Sequence, residues 1–274
     1  MNKLQVMIVF ALALVASVAG FTTTQSQARA ADIKPLKVLL VIGGCCHDYE
    51  HQKDVLKQGL EKRANVEVTL AYDPDKTTKH LNPVFESADW AGGYDVIIHD
   101  ECSANVADLK IIDRILKPHR DGLPAVALHC ALHCFRSEGW KNPETPTPWQ
   151  MFMGLQSTGH GRQAPIAVNY VDKDHPIAKG LEDWVTIKEE LYNNIAGGLV
   201  KTGHPLAHGK QDNNESVVTW TNLYNGKSRV FATTLGHNTE TVADARYLDL
   251  VTRGLLWSCG KLNDDGTPMA GYGK

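Results

Sequence analysis

The sequence predicts an α/β protein whose sheet is doubly wound and mostly parallel, with helices on both faces and a C-terminal β-hairpin. Three observations predict this class. Apolar segments of strand length recur along the chain, segments with helical spacing separate the first of them, and polar residues follow each apolar segment. Unbroken apolar runs are typical of parallel strands buried on both faces. Right-handed crossovers between such strands place the intervening helices on both sides of the sheet.

The first half of the chain alternates strands with helices. The apolar run at 36–42 ends at Gly43-Gly44, which favours a buried central strand followed by a sharp turn. From Glu50 onward the apolar residues take helical spacing, and the same change recurs after the third strand. The predicted strands are 36–42, 66–72, 94–99 and 124–128, and the predicted helices begin at Glu50 and cover 106–116.

The second half begins with an irregular stretch and ends with a hairpin and a helix. Residues 136–155 combine prolines with several aromatic side chains, which is typical of a lid or pocket wall. The strand-like segments 217–224 and 229–234 flank Asn225-Gly226, a pair that readily adopts the positive φ angles of a type I′ turn. An apolar stripe over 243–258 predicts a last helix that packs on the sheet.

Length and composition are those of an ordinary globular protein. Of the 274 residues, 43% are hydrophobic and 22% are charged, and the formal net charge is -3. We predict one α/β domain over 31–262, because about 240 residues suffice for a single large core. The segment 263–274, rich in Gly and Asp, is predicted to be a flexible tail. No basic run with interleaved aromatics occurs, so nucleic acid is not an expected partner.

Residues 1–30 have the three parts of an export signal peptide. Lys3 precedes an apolar stretch over 6–19, and a polar segment ends at Ala28-Arg29-Ala30. These small residues predict cleavage before Ala31. An uncleaved anchor is the alternative, but the apolar stretch is short for a membrane span. We therefore expect an exported protein, periplasmic or secreted, that has no membrane contact after cleavage.

Histidines and cysteines follow several predicted strands at the point where each strand ends. The carboxyl ends of parallel strands meet at one edge of a sheet, where α/β proteins bind their ligands. The alternative is structural, since cysteine is often a small buried hydrophobe and a histidine can be a hydrogen-bonded core residue. The residues concerned are His47 and Asp48 after the first strand, His129, Cys130, His133 and Cys134 after the fourth, His160 between two glycines, and His237 after the hairpin.

Six cysteines occur, and in an exported protein they could pair. Cys45 and Cys46 are adjacent, and we do not expect them to bridge each other. The connectivity cannot be deduced from the sequence. One disulfide between strand-end loops and a fully reduced set of thiols are both open.

A set of short motifs occurs in order along the chain. The motifs are Gly43-Gly44 with His47, Leu128-His129, Gly159-His160, His175-Pro176 with Gly180-Leu181, Glu190-Leu191-Tyr192, Val218-Thr219-Trp220, and Gly226 followed by Thr234 to His237. Their order and spacing resemble the ThuA-like (trehalose utilisation) family of the class I glutamine amidotransferase-like superfamily. The resemblance implies a flavodoxin-like fold and a role in sugar catabolism, with disaccharides that a partner sugar 3-dehydrogenase has oxidised to 3-keto sugars. It also implies that His129 takes the position of the amidotransferase nucleophile, while Cys130 departs from the serine more common in the family.

These residues suggest a metal-assisted reaction on a sugar. Neutral imidazoles are good ligands for Zn²⁺ or a similar divalent ion, and three of them with one open position make a catalytic arrangement. A metal would stabilise the enediolate of a 3-keto glycoside while a base removes the C2 proton, so that elimination and hydration cleave the bond. Direct hydrolysis by two carboxylates stays open, although no pair of carboxylates stands out in the sequence. We assign the metal to His47, His160 and His237, catalysis to His129 and Glu190, and substrate binding to Asp48, Tyr49, Arg136, Trp140 and Tyr192.

No nucleotide cofactor is expected, and the partner is a small sugar. Two other functions stay open. The protein could be a non-catalytic periplasmic sugar-binding protein that keeps the pocket without the chemistry. It could also be an amidotransferase-like hydrolase that depends on Cys130, which we rank last.

Overall fold

The computed structural model describes residues 33–274, without side-chain detail at 195–197, and the predicted export signal at 1–30 lies outside the described residues. A mixed sheet of nine strands forms the centre, and a second sheet has two antiparallel strands. The strands are β1 Leu36–Gly44, β2 Val66–Asp73, β3 Val96–Cys102, β4 Ala125–Leu128, β5 Leu155–Ala164, β6 Ala167–Tyr170, β7 Trp184–Val185, β8 Glu189–Leu199, β9 Gly203–Gln211, β10 Asn214–Tyr224 and β11 Ser228–Thr233. The α-helices are α1 Tyr49–Arg63, α2 Leu109–Asp121, α3 Pro148–Met153, α4 Thr239–Ala243 and α5 Ala245–Ser258.

The parallel part of the large sheet has the strand order β2-β1-β3-β4-β11. Each neighbouring pair in this series is parallel. The order corresponds to the 2-1-3-4-5 order of flavodoxin-like sheets, in which ligands bind outside the carboxyl ends of the strands. The predicted doubly wound α/β architecture is therefore present in this part.

The other part of the sheet is antiparallel, so the prediction of a mostly parallel sheet was only partly right. Strands β10, β9, β6 and β7 extend the sheet beyond β11, and each pairs antiparallel with its neighbour. Short connections such as the one between β9 and β10 can only join antiparallel strands, because a parallel crossover needs a dozen or more residues. The predicted hairpin is β10–β11, and its turn residues Asn225 and Gly226 have φ angles of 52° and 65°.

Helices cover both faces of the sheet, as the sequence predicts. Strand β1 shows why, because its successive side chains point to opposite faces. One face packs against α1, α4 and α5, and the other packs against α2 and α3. The first core includes Val38, Leu40, Leu56, Val242 and Leu255, and the second includes Leu39, Val41, Ile112, Trp149 and Phe152.

Strand β4 ends in a sharp turn that presents chemical groups to the carboxyl edge. Leu128 is the last strand residue, and His129 then takes a φ of 39°, in the left-handed region that L residues rarely adopt. A short 3₁₀ helix, His129–His133, follows, in place of an α-helix. The indole Nε1–H of Trp149 in α3 donates to the carbonyl of Ala131 at 2.8 Å, which holds this turn.

The C-terminal segment predicted to be flexible lies against the domain. The backbone N–H of Asn65 donates to the carbonyl of Tyr272 at 2.9 Å, and that of Lys274 donates to the carbonyl of Arg63 at 3.2 Å. That this segment is flexible stays a prediction. Its movement away from the domain would break these two hydrogen bonds. Within the part of the chain that the structure describes, no helix is long and apolar enough to cross a membrane.

Candidate active site

A pocket of about 280 Å³ lies at the carboxyl edge of the parallel strands, where the sequence predicts a site. Its lining combines histidines with a carboxylate, an arginine and cysteines. Two larger cavities, of about 480 and 410 Å³, lie near the C terminus and beside α2, and no histidine lines either one among the described residues. The polar lining residues used below are His47, His133, Arg136, His160, Gln163, Glu190 and His237.

Three histidines from different strand ends lie together here, and two of them, His47 and His237, line the pocket. His47 follows β1, His129 follows β4 and His237 follows β11. Their ring centroids are 4.7 Å apart for His47 and His129, 4.9 Å for His47 and His237, and 5.5 Å for His129 and His237. One ring nitrogen from each lies within 4.8 Å of the others, so the group could hold a metal ion.

In two of these rings one nitrogen forms a hydrogen bond to the backbone, and the other keeps a free lone pair. Nδ1 of His129 lies 2.5 Å from the carbonyl oxygen of Thr234, and Nδ1 of His47 lies 3.2 Å from that of His237. A carbonyl oxygen only accepts, so Nδ1 carries the proton in both rings and Nε2 keeps its lone pair. Ligating histidines commonly donate their second nitrogen to a carbonyl in this way.

Two buried nitrogens at the centre of the group have no hydrogen-bond partner. They are Nε2 of His129 and Nδ1 of His237. Unpaired buried polar atoms are uncommon in folded proteins, and each one calls for an explanation such as an unseen ion. The chemistry of the donor set therefore fits a divalent ion such as Zn²⁺, for which imidazole is a good ligand.

Glu190 in β8 faces these histidines. Its carboxylate oxygens lie 3.6 Å from Nε2 of His129, 3.5 Å from Nε2 of His160 and 3.4 Å from Nδ1 of His237. Such distances are those of ion pairs without short hydrogen bonds. Gln163 donates from Nε2 to Oε1 of Glu190 at 3.1 Å, which orients the carboxylate.

Burial and mutual charge set the pKa values in this group. Burial, followed by the charges of His129 and His237, lowers the pKa of His47 to about 3. Burial tends to raise the pKa of Glu190, but its contacts with His129 and His237 outweigh it and lower the pKa. Burial tends to lower the pKa of His237, yet the contact with Glu190 raises it. His47 is therefore neutral at pH 7, as a metal ligand must be.

Glu189, the residue before Glu190, supports the site from the other side of β8. It is fully buried. Its carboxylate accepts the backbone N–H of His237 at 3.0 and 3.1 Å and that of Gly236 at 3.3 Å. Adjacent strand residues point to opposite faces, so one carboxylate can position the His237 loop while the other faces the pocket.

The structure changes the grouping of the histidines from the one that the sequence predicts. The predicted metal ligands were His47, His160 and His237, and His129 was predicted to act in catalysis. His129 lies in coordinating reach of His47 and His237, whereas His160 lies outside that group. The His160 side chain is 44% exposed and contacts Glu190 at the edge of the pocket.

The predicted substrate-binding residues occupy different places. Arg136 and Tyr192 line the pocket. Trp140 lies behind Arg136, with its ring 4.4 Å from the guanidinium carbon. Asp48 caps α1 outside this pocket and contacts His51 at 2.8 Å, and Tyr49 is buried with its ring 5.3 Å from that of His47.

Sequence reasoning did not single out Gln163, and it gave His133 no role in the site. Gln163 orients Glu190, and His133 stacks on Tyr192 with ring centroids 4.1 Å apart while its Nε2 lies 3.0 Å from the Ser157 hydroxyl. Burial lowers the pKa of His133 to about 3, so this ring is neutral. Strands β5 and β8 pair antiparallel, with Gln163 opposite Glu190 and His160 opposite Tyr192, and this pairing of distant segments was not predicted from the sequence.

The expectation that Cys45 and Cys46 do not bridge each other was wrong, because the structure joins them in a disulfide. Their Cα atoms are 3.7 Å apart. Cys46 takes a φ of 84°, which turns its side chain back toward its neighbour and which propensity alone did not predict. The other cysteines in the described part of the chain, Cys102, Cys130, Cys134 and Cys259, are thiols.

Known proteins resemble this chain in sequence and in fold. The sequence model of one family, described as "ThuA: Trehalose utilisation", matches residues 37–258. A ThuA-like protein from Parabacteroides merdae ATCC 43184 is 24% identical, and the match covers 88% of this chain and 97% of that chain with a TM-score of 0.60. A ThuA-like protein from Bacteroides uniformis ATCC 8492 is 16% identical, with 82% and 92% coverage and a TM-score of 0.58.

A third structural neighbour belongs to another group of proteins. The glutaminase domain of Trypanosoma brucei CTPS is 12% identical, and the match covers 87% of this chain and 100% of that domain with a TM-score of 0.45. No curated protein matches the chain. At these identities the structural neighbours show the fold alone.

Proposed function

Because the chain belongs to the ThuA family, which is linked to trehalose utilisation, we propose that it is a carbohydrate-catabolic enzyme that cleaves an oxidised, 3-keto glycoside or disaccharide with the help of a divalent metal ion. One observation carries this proposal. His47, His129 and His237 direct uncommitted ring nitrogens toward one another beside the carboxylate of Glu190.

These three histidines would hold the ion. Zn²⁺ or a similar cation, when bound, polarises a carbonyl oxygen and so makes a neighbouring C–H more acidic. The carbonyls of Thr234 and His237 hold the Nδ1–H groups of His129 and His47. Glu189 fixes the backbone of His237. The protein therefore keeps the donor nitrogens in place before the ligand arrives, which lowers the cost of binding.

His160 and Glu190 are the pair best placed to move a proton. Nδ1–H of His160 donates to the carbonyl of Gly161 at 2.9 Å, so its Nε2 faces Glu190 and the pocket. Nε2 takes the C2 proton of the 3-keto sugar, and the carboxylate of Glu190 stabilises the imidazolium that results. Glu190 holds a lowered pKa and stays ionised, which suits this role better than that of the base itself.

The remaining steps complete a net hydrolysis. As the C2–H bond breaks, its electron pair forms the C1–C2 double bond and the C1–O bond to the leaving group breaks. Protonated His160 returns the proton to the leaving oxygen. Water then adds across the double bond, with its OH on C1 and its proton on C2, which restores the 3-keto sugar.

Arg136 and Tyr192 form the walls that would bind the sugar. Arg136 lines the pocket, and a guanidinium has five N–H groups that can donate to sugar hydroxyls. Trp140 stacks on the guanidinium and restricts its position. Tyr192 is stacked on His133, which fixes the plane of its ring beside the pocket.

The alternative of a Cys130-dependent hydrolase has less support. The hydrogen bond with the Cys102 thiol, and then burial, raise the pKa of Cys130 well above its ordinary value. A thiol in that state is a poor nucleophile, because the thiolate is the reactive form. Plain sugar binding stays the main alternative, and turnover distinguishes it from the enzyme.

The test combines elemental analysis with an assay. The mature protein and its His237→Ala and His160→Ala variants are purified without chelator, and their zinc and other divalent metals are measured. Turnover is followed as release of 4-nitrophenol from a 4-nitrophenyl 3-keto glucoside. We expect His237→Ala to lose the metal and turnover, and His160→Ala to keep the metal and lose turnover.

A matched control and a second readout sharpen this test. His204 lies exposed in β9, so His204→Ala is expected to keep both metal and turnover. Exchange of the C2 proton in D₂O, followed by NMR, reports proton removal even if the leaving group stays attached. A protein that binds the keto sugar but shows neither exchange nor release would be a binding protein, and this would contradict the proposal.

The cellular setting follows from the same proposal. A 3-keto glycoside must come from an oxidation at C3, so the enzyme would act after a sugar 3-dehydrogenase. If the predicted signal at 1–30 directs export, both reactions take place outside the cytoplasm. Fractionation of cells that express the full chain tests the location directly.

A further inference from the structure

Four cysteines form a connected series of sulfur atoms along one wall of the pocket. Sγ of Cys45, in the disulfide with Cys46, lies 3.4 Å from Sγ of Cys102. Sγ of Cys102 lies 2.9 Å from Sγ of Cys130. We propose that Cys45, Cys46, Cys102 and Cys130 form a redox-active centre, in which a disulfide moves between the exposed pair Cys45–Cys46 and the inner pair Cys102–Cys130.

The strand order explains why the inner pair is close. Strands β3 and β4 are parallel neighbours. Cys102 is the last residue of β3, and Cys130 lies in the 3₁₀ helix that follows β4. Both residues therefore lie at the carboxyl edge of the sheet, and their sulfur atoms are already 2.9 Å apart.

Strand β1 brings the outer pair to the same place. It is parallel to β3, and its Gly44 pairs with Cys102. Cys45 is the next residue, so its sulfur reaches the Cys102 thiol. Cys46 is exposed to solvent, whereas Cys45 and Cys102 are buried. The series thus connects the surface with the interior, as a centre that exchanges with an outside thiol requires.

The exchange is balanced within the protein. The Cys102 thiolate attacks Sγ of Cys45, the Cys45–Cys46 bond breaks, and the electron pair leaves on Cys46. Once Cys102 is bonded to Cys45, the hydrogen bond with the Cys102 sulfur that is the main cause of the raised Cys130 pKa is lost. Cys130 then gives up its proton and attacks Sγ of Cys102, and Cys45 leaves as a thiolate. The two protons given up by Cys102 and Cys130 end on Cys45 and Cys46. No outside oxidant or reductant is consumed.

An outside dithiol can enter at Cys46. One of its thiolates attacks the exposed sulfur, its second thiol resolves the mixed disulfide, and two electrons pass to the protein while the dithiol becomes a disulfide. In the reverse reaction the reduced centre passes two electrons to an outside disulfide, which becomes a dithiol, and the Cys45–Cys46 disulfide forms again. The ligand class is therefore a thiol–disulfide pair, distinct from the sugar of the proposed reaction.

The surroundings of Cys102 favour it as the attacking group. The hydrogen bond from the Cys130 thiol is the main cause of its lowered pKa, which outweighs burial. The sulfur atoms of Cys102, Cys45 and Cys46 do not lie on one line, because all three lie within 4.8 Å of one another. Thiol–disulfide exchange needs the attacking and leaving sulfurs on opposite sides of the central sulfur. The exposed Cys46 sulfur must therefore swing outward as it leaves, which solvent permits.

Cys134 takes no part in the series. Its thiol donates to the carbonyl of Glu101 at 2.9 Å, and its sulfur accepts the backbone N–H of Ser103 at 2.9 Å. Cys259 follows α5, and no hydrogen bond joins its sulfur to another cysteine of the described chain. Cys259→Ser is therefore a matched control for substitution of a thiol.

The test is disulfide mapping of the mature full-length protein. Samples equilibrated with oxidised and reduced dithiothreitol are quenched in acid, alkylated and analysed by peptide mass spectrometry. In Cys46→Ser, we expect Cys102 to become protected from alkylation in a Cys45–Cys102 or Cys102–Cys130 disulfide. In Cys45→Ser, we expect the Cys102–Cys130 disulfide. Cys259→Ser should give the wild-type pattern.

The contrary result is equally clear. If Cys102 stays fully open to alkylation in both Cys46→Ser and Cys45→Ser under oxidising dithiothreitol, the centre does not exchange and the proposal is overturned. Circular dichroism confirms that each variant is folded. His237→Ala, which lacks a proposed metal ligand, should show the wild-type disulfide pattern, so failure of the sugar reaction and failure of this proposal give different results.

Discussion

The buried carboxylate of Glu189 accepts the backbone N–H of His237, at 3.0 and 3.1 Å to its two oxygens. This relationship joins strand β8 to the loop after β11. It places the His237 ring among the other histidines while leaving both of its ring nitrogens free of the backbone. Glu189 does not line the pocket, yet it positions one of the histidines that do.

Replacing Glu189 should weaken the site through its position. In Glu189→Ala, the N–H groups of Gly236 and His237 lose their acceptor, and an unsatisfied buried donor costs about 1–3 kcal/mol. We expect a lower free energy of unfolding in urea and a lower zinc affinity. Glu189→Gln keeps one acceptor oxygen and should recover part of both. Glu182 is exposed, so Glu182→Ala is the control, and equal effects of the two alanine variants would contradict this role.

Because His129 has a positive φ, glycine should give a more stable protein than alanine at this position, which is the reverse of their usual order. A left-handed conformation costs an L residue about 1–2 kcal/mol, and glycine avoids this cost. We therefore expect His129→Gly to unfold at higher urea concentration than His129→Ala. Gln58 is exposed in the middle of α1, where glycine should be the worse residue by about 1 kcal/mol. The same order at both positions would refute the turn geometry.

Gly254 lets α5 pack tightly against the sheet. A Cβ at this position would overlap the ring of Phe231 in β11, which is fully buried. Gly254→Ala should therefore force the helix away from the sheet and cost about 1–3 kcal/mol. Thermal unfolding measures this loss. At Gly159 a Cβ meets nothing within 4 Å, so Gly159→Ala should leave the melting temperature nearly unchanged.

Stability should fall in acid because of His119. This ring is fully buried in α2, and burial, followed by the nearby His99, lowers its pKa from 6.5 to about 3. Above pH 6.5 the ring is neutral in both states. Between pH 6.5 and 3 the unfolded chain binds a proton that the folded chain does not, so stability decreases by at most about 1.4 kcal/mol per pH unit for this group.

Substitution of His119 isolates this contribution. The free energy of unfolding of His119→Gln should depend less steeply on pH between 6.5 and 3 than that of the wild type, although its value at pH 7 is lower. The pH dependence of stability that remains in this variant comes in part from His133 and His47, whose pKa values are also lowered. Gln58→Ala changes an exposed residue that does not titrate, and its free energy of unfolding should follow the wild-type pH dependence. Parallel curves for His119→Gln and wild type would show that this ring does not titrate as described.

The sequence predicted those parts of the fold that local pattern controls. The apolar run of β1 and the change to helical spacing after it identified a parallel α/β unit, because burial on both faces requires such runs. Asn225-Gly226 identified the hairpin, since few other pairs adopt two positive φ angles without strain. The antiparallel strands β9, β6 and β7 were not predicted as parts of the same sheet, because their pairing depends on contacts between distant segments.

For the site, the sequence by itself determined that histidines follow several strands, and that parallel strands deliver them to one edge. Only the tertiary structure decided that His129 joins His47 and His237 while His160 stays beside Glu190, and that Cys45 bonds to Cys46. The physical reason is that these choices depend on ångström-scale register and on single φ angles, such as those of Cys46 and His129. Residue spacing specifies which strand end a side chain follows, and packing then decides which of its neighbours it can touch.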